Sequence, residues 1–521
     1  RRQRQMCIRD SSAHVAAKTS VGFSANLRQD MYDNVQTFSF SNIDKFSTAS
    51  IVTRLTTDVT NIQNAYQMLI RMAVRGPVML VFSMIVSFRI NTTIALIFLA
   101  VIPIMALLLL LIIRKVGPFF NRVFRTYDTL NNVVQENVRG IRVVKSFNQE
   151  DHEIKKFKGI SQSIYEDFAA GERLLAFNSP IMQFFMYACM ILISWIGAKA
   201  IVASGNSAAL GMTTGDLTAL FSYATQILMA LMMLSMVFTM ITISLASARR
   251  IAEVLEEKTD IANPTGAEMT VRDGSIRFEQ VSFAYAAKAD KKVLSDIDLS
   301  IASGQTVGII GGTGSSKSSL VQLIPRLYDV SSGQLLLGGV DVRKYDLDVL
   351  RNAVAMVLQK NELFSGTIKE NLRWGNESAT DEEIEEACRL ACADEFIQSF
   401  PDKYDTYIEQ GGTNVSGGQK QRLCIARALL TKPKVLILDD STSAVDTKTD
   451  ASIQKSFAEF IPDTTKIIIA QRVSSVQHAD LIVVMDDGKI AACGTHDELL
   501  KTCDIYREVY ESQQEGDSEH E

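Results

Sequence analysis

The chain has 521 residues, room for three or four ordinary domains or two large ones. At 47% hydrophobic and 21% charged it is not a disordered chain, and 53 basic against 59 acidic residues argues against nucleic-acid binding through bulk positive charge. Seven cysteines without a CxxC pair exclude a disulfide scaffold and a zinc ribbon, and Cys388 and Cys392 are read as buried reduced thiols on one helix face.

The opening RRQRQMCIRD has no start methionine and no apolar core. It is not a signal peptide, and residues 1–25 are expected to be a truncated or partly non-native start. Four apolar runs follow, at about 74–88, 94–113, 181–204 and 217–248. The second is twenty residues without a charge, interrupted by Pro103, which a membrane helix tolerates. One such run could be a buried core helix; four in succession predict membrane spans. The links at 89–93 and 205–215 are short, and the second holds no Lys or Arg, whereas 114–173 is densely basic and Arg249 and Arg250 follow the last run. Basic loops stay on the cytoplasmic side. The long 114–180 segment is therefore expected to form two helical extensions into the cytoplasm.

Composition changes near residue 255. Residues 256–274, with Pro264 and Gly266, read as a linker. Beyond it, short β-branched runs at 306–310, 434–438, 466–470 and 481–485 alternate with helical stretches. That is the pattern of a mostly parallel α/β sheet. The acidic, polar residues 511–521 are expected to be a disordered tail.

A strand ending in Val307-Gly-Ile-Ile leads into Gly311, Gly312, Thr313, Gly314, Ser315, Ser316, Lys317, Ser318 and Ser319, followed by an apolar helix. Strand, glycine-rich loop, Lys-Ser and helix form the context of a phosphate-binding loop. Its backbone N–H groups and the helix N-terminus would wrap phosphates. Lys317 would reach the β- and γ-phosphates of ATP, and Ser318 would hold Mg²⁺. The pattern calls for Gly where Ser316 stands. Lys434-Val-Leu-Ile-Leu-Asp439 is an apolar strand ending in a second Mg²⁺-holding acid.

Between these motifs lies Val415-Ser416-Gly417-Gly418-Gln419. With it, residues 275–510 resemble an ABC transporter ATPase domain, whose signature is LSGGQ. The resemblance implies that Ser416–Gln419 grips ATP held by a partner's phosphate loop. It also implies that Tyr285 stacks on adenine and that Gln359 is the Q-loop residue, sensing Mg²⁺. Ser443-Ala-Val-Asp446 matches the D-loop. Residues 26–255, with TRLTTD at 53–58 and ENVRGIRVVKSF at 136–147, resemble the membrane domain of a drug and lipid exporter. Importer membrane subunits are usually separate chains, so the fusion favours an exporter. The expected architecture is an α-helical transmembrane domain of this type, with four of six spans present, fused to an α/β P-loop ATPase domain. The expected setting is a bacterial cytoplasmic membrane, with the lipid bilayer as a partner and small molecules, lipid or peptide as cargo.

Three further positions depart from the family. Asp440 stands where a Glu normally orients the attacking water, and its carboxylate is one methylene shorter. A displacement near 1 Å in a positioning group costs about a hundredfold in rate. Gln471 stands in place of the switch histidine: it can hydrogen-bond the γ-phosphate but cannot become cationic. Gln410 stands where a Glu usually precedes the signature. His478, the nearest histidine, lies outside the motif. These changes strike catalytic groups and spare binding groups. They point to an ATPase that binds ATP at a slow, degenerate site and completes the active site of a second ABC half-transporter. A self-sufficient homodimer and a regulatory nucleotide-binding membrane protein are the alternatives. Coupling to transport is expected through short helices around 47–51 and 147–157.

Overall fold

The computed structural model describes residues 2–207, 211–285, 292–440 and 447–518. It divides into two compact units, one of Arg1–Gln36 with Thr48–Glu257 and one of Thr37–Ser47 with Lys258–Glu521. The first contains α1 (Arg2–Gln36). The eleven-residue excursion Thr37–Ser47 belongs to the second and holds the short helix α2 (Phe40–Lys45).

After α1 the helical unit is built from four long helices. The helix Thr48–Ile90 comprises α3 (Thr48–Thr53), α4 (Val59–Met68) and α5 (Arg75–Ile90), separated by π-helical turns at Arg54–Asp58 and Leu69–Ala73. Next come α6 (Thr92–Arg139), the short α7 (Ile141–Ser146), α8 (Glu150–Leu175) running into α9 (Asn178–Ser204), and α10 (Thr214–Glu256). Each of the four is long and apolar enough to cross a membrane. The 48 residues of α6 reach about 70 Å at ~1.5 Å per residue, more than twice an apolar bilayer core of ~30 Å. These helices therefore extend well beyond lipid.

The links are set by local chemistry. Asn91 caps α6, its side chain accepting from the Ile94 N–H at 3.1 Å. Gly205 ends α9 in the left-handed region (φ 59°), and Thr213 with Asp216 forms a capping box that starts α10. A buried apolar cluster including Ile94, Phe98, Met105, Ile193 and Leu220 joins α6, α9 and α10. Many outward residues are large and apolar, among them Val81, Leu107, Ile191 and Trp195. In water such a surface would be an aggregation liability; in lipid it is the ordinary exterior.

The TRLTTD stretch forms a polar joint. Asp58 is fully buried at the π turn. Its carboxylate accepts from Ser247 Oγ and from Arg250 Nε, both at 2.8 Å. Arg54 donates to the Arg250 carbonyl at 2.7 Å and pairs with Glu253 at 3.0 Å. The helix leading up from α2 is thereby fastened to the end of α10. The short helices that precede 47–51 and 147–157 in sequence are α2 and α7. Residues 47–51 instead open the first span, and most of 147–157 lies in α8. Ser39 caps α2 with Asn42 in a capping box.

In the α/β unit, β1 (Ile276–Phe283), β2 (Leu294–Ile301), β3 (Thr306–Gly311), β4 (Ser332–Leu337), β5 (Val340–Asp341), β6 (Val354–Val357), β7 (Gly366–Thr367), β8 (Tyr407–Ile408), β9 (Val435–Asp439), β10 (Thr465–Ile469), β11 (Leu481–Asp486) and β12 (Lys489–Gly494) form three sheets. The central one has the order β12-β11-β3-β10-β9-β6, parallel except for the β11–β12 pair. A four-stranded antiparallel sheet, β2-β1-β4-β5, and the β7–β8 pair complete the unit. The strands predicted at 306–310, 434–438, 466–470 and 481–485 are β3, β9, β10 and β11, each within one residue. Every residue of β9 and β10 is buried, as in a parallel sheet covered on both faces.

The last helix, Asp504–Ser518, enters the stretch expected to be a disordered tail. Gln513 accounts for the difference: it donates to the Gln471 carbonyl and accepts from the Val473 N–H, both at 2.8 Å.

Arg250→Ala leaves a buried carboxylate without its cationic partner, a loss worth about 2 kcal/mol or more. It is expected to lower the thermal midpoint of the detergent-solubilised protein while leaving nucleotide affinity unchanged, checked by thermal unfolding and nucleotide titration.

Candidate active site

The carboxyl ends of four adjacent parallel strands carry the site. β3 ends in the phosphate loop, β9 ends at Asp439, and Gln471 and Gln359 lie two residues past β10 and β6. Ligands of open α/β sheets bind at such ends.

The loop geometry explains its glycines. A Cβ on Gly311 would sit 2.2 Å from the Met485 carbonyl, and Gly314 has φ +85°. Gly312 and Thr313 lie at the exposed tip, while Ser315 is buried. Ser316 has φ +71° and ψ 24°, a left-handed conformation immediately before α11 (Lys317–Gln322). The loop thus needs the backbone of a glycine where this chain has a serine. A left-handed L-residue costs roughly 1–2 kcal/mol, which the surrounding structure absorbs.

Lys317 Nζ folds onto the loop, donating to the carbonyls of Gly311 (2.8 Å) and Gly312 (2.9 Å) and to Ser315 Oγ (3.3 Å). Burial pushes its pKa down, and the carboxylates of Asp440 and Asp439 pull it back up. Ser318 Oγ donates to Asp439 Oδ1 at 3.0 Å. Burial pushes the Asp439 carboxyl above the usual range, against the opposing hydrogen bond from Ser318. A desolvated carboxylate beside a hydroxyl is an all-oxygen donor pair of the kind Mg²⁺ takes. These residues fit the ion. Tyr285 is 48% exposed, and its hydroxyl lies 2.9 Å from Ser319 Oγ.

Asp440 lies at φ +50°, its N–H donating to the Ile469 carbonyl. Its Oδ2 accepts from Gln471 Nε2 at 2.8 Å and lies 3.5 Å from Gln359 Nε2. The structure therefore gathers Tyr285, the loop, Gln359, Asp439, Asp440 and Gln471 in one place. Ser416 and Gln419 instead cap each other at the start of the helix Gly417–Leu429, the Ser416 N–H donating to Gln419 Oε1 at 2.9 Å. The first residues of that motif, Ser416 and Gly417, are exposed. Gln410 opens a 3₁₀ turn that ends at Gly412. The D-loop residues Ser443–Asp446 lie outside the described residues. His478 meets Gln477 at 3.3 Å and lines a different cavity of about 420 Å³ with Asp450 and Lys466. Sequence reasoning missed Tyr328, whose ring packs on Tyr285 at 5.1 Å; the aromatic just past the phosphate-loop helix was its one signal.

Residues 11–231 match the ABC transporter transmembrane region, and residues 294–443 match the ABC transporter family. An uncharacterized ABC transporter ATP-binding protein of Bacillus subtilis (strain 168), YfiB, is 38% identical over 96% of this chain and 85% of its own length. This chain belongs to the ABC transporter family. A second relative of this ABC transporter chain is the ATP-dependent lipid A-core flippase of Desulfotalea psychrophila, 32% identical over 94% of this chain and 84% of the flippase. In fold the chain is similar to a bacterial Atm1-family ABC exporter with ATP bound, with a TM-score of 0.84 at 24% identity, covering 95% of this chain and 86% of the other. The architecture is that of an ABC exporter: a helical membrane domain fused to an ABC ATPase domain.

Ser316→Gly removes the left-handed strain. It is expected to raise the unfolding midpoint of the ATPase unit by about 2–4 °C, as about 1 kcal/mol does for a unit of this size. Ser316→Val is expected to lower it. Calorimetry of the purified protein checks both, and an unchanged midpoint for both variants would contradict the strain argument.

Proposed function

We propose that this chain is one half of an asymmetric ATP-driven exporter in a bacterial cytoplasmic membrane, paired with a second ABC half-transporter. Its own phosphate loop forms the slow site, and its Ser416–Gln419, exposed at Ser416 and Gly417, completes the fast site on the partner. The observation that carries this reading is the Asp440–Gln471 hydrogen bond of 2.8 Å. The acid that should position the attacking water is one methylene short, and a neutral amide holds it.

The remaining groups suit retention of ATP. The loop N–H groups and Lys317 bind the phosphates, and Tyr285 stacks on the base. Ser318, Asp439 and Gln359 would hold Mg²⁺, which neutralises charge on the β- and γ-phosphate oxygens. Gln471 donates a hydrogen bond but no positive charge to the γ-phosphate. Nucleotide held here would keep the two ATPase domains together while the other site turns over.

An amphiphilic cargo is supported by α10. Met229, Met232 and Met236, 58–59% exposed, form one stripe at helical spacing. Methionine surfaces adapt to varied apolar ligands. Residues 217–248 contain no titratable Asp, Glu, Lys, Arg or His, which disfavours an ion pathway. The relative named as a lipid A-core flippase fits a lipid or drug-like compound better than a peptide.

Asp440→Glu combined with Gln471→His is expected to raise steady-state ATP turnover of the chain assembled with itself by about tenfold or more. Asp440→Asn should change it little. A drop of about a hundredfold in Asp440→Asn would instead show a working catalytic acid and a self-sufficient homodimer.

A further inference from the structure

The α/β unit contains one element from the membrane half of the sequence, α2, and it is tied to the wall of the nucleotide site. Asp44 of α2 accepts from the Tyr328 hydroxyl at 2.7 Å. Phe40 of α2 meets the Tyr328 ring edge-on at 6.0 Å. Tyr328 in turn packs edge-on against Tyr285 at 5.1 Å, and both rings pack on Phe283. Tyr285 closes the chain of contacts through its hydroxyl, 2.9 Å from Ser319 Oγ in α11. The start of α2 is anchored separately: Ser39 and Ser41 donate to the Asp260 carboxylate, and Asn42 Nδ2 donates to the Lys258 carbonyl at 3.1 Å.

Two features make this a relay and not plain packing. Tyr328 is 9% exposed, so its ring has little room to move without displacing a neighbour. Its hydroxyl is committed to Asp44, a short charge-assisted bond that fixes the ring relative to α2. Tyr285 is 48% exposed at the other end, free to meet a flat ligand.

We infer that α2 reads the nucleobase: adenine stacked on Tyr285 fixes that ring, Tyr328 transmits the constraint, and the Asp44 bond holds α2 in its docked position. α2 is joined by the chain to α1 and to the span that begins at Thr48. The membrane half would thereby sense base occupancy through contacts other than those of the phosphates. ATP and ADP then set α2 alike, and the γ-phosphate signal through Gln359 and Gln471 is a separate input. This inference rests on the proposed role of Tyr285 in stacking adenine.

The test is hydrogen–deuterium exchange of residues 38–47 in the intact transporter in lipid nanodiscs, with saturating ATP, ADP or inorganic tripolyphosphate. ATP and ADP are expected to slow exchange in 38–47 and in the phosphate loop. Tripolyphosphate is expected to slow it only in the loop. Tyr328→Phe, which keeps the ring and removes the hydroxyl, and Phe40→Ala should each abolish the response of 38–47 while ATP still protects the loop. Equal protection of 38–47 by tripolyphosphate, or none by ATP when the loop is protected, overturns the relay. Tyr285→Ala separates the two ideas. Loss of one base stack weakens ATP about tenfold. Unchanged affinity would overturn the adenine-stacking role itself. Weakened affinity with protection of 38–47 retained at saturating ATP would overturn only the relay.

Discussion

The hydrogen bond from Ser318 to Asp439 joins the phosphate-loop helix to the end of β9, and the nucleotide site is organised around it. Asp439 is 3% exposed because β9 lies between β10 and β6 in a sheet buried on both faces. The strand order brings β3, β10, β9 and β6 side by side, so residues 311–319, 471, 439–440 and 359 emerge together. Burying a carboxylate there disfavours its charged form, and a cation beside it offsets that cost.

Much of this was legible because phosphate chemistry demands particular residues in short, contiguous runs. Gly311, Gly314, Lys317 and Ser318 are neighbours in sequence for the same reason they are neighbours in space: one loop and one helix start do the work. The strands were legible from their unbroken apolar runs. Contacts that join distant parts of the chain were not. Asp44 and Tyr328 meet across 284 positions, and no local pattern announces it. Gln513 is an ordinary residue of a polar tail until it is seen holding the chain around Gln471. The departure at Ser316 was legible as a letter, but its backbone strain was visible only in three dimensions.

The membrane half shows the same division. Apolar runs and their length identify four helices, since lipid imposes a simple requirement on composition. The TRLTTD stretch resembled a cytoplasmic-helix pattern of the exporter family, with no sign of which residues it meets. It proves to be a buried joint, in which a π turn aims Asp58 at Ser247 and Arg250 of α10. Burying a carboxylate beside an arginine and a hydroxyl fixes one register between two long helices, because any slip leaves the charge unpaired. The membrane unit is thus held by polar chemistry at this joint as well as by apolar packing.

The asymmetry of the ATPase sites is the central claim, and the chemical state of trapped nucleotide tests it most directly. The transporter is purified with its native partner, incubated with doubly labelled ATP and Mg²⁺, photo-crosslinked during turnover, and each chain is analysed separately. The account predicts intact ATP on this chain's phosphate-loop peptide, residues 311–319, and predominantly ADP on the partner's. Equal proportions of ADP on both chains, or the recovery of this chain paired only with itself and carrying ADP, would contradict it.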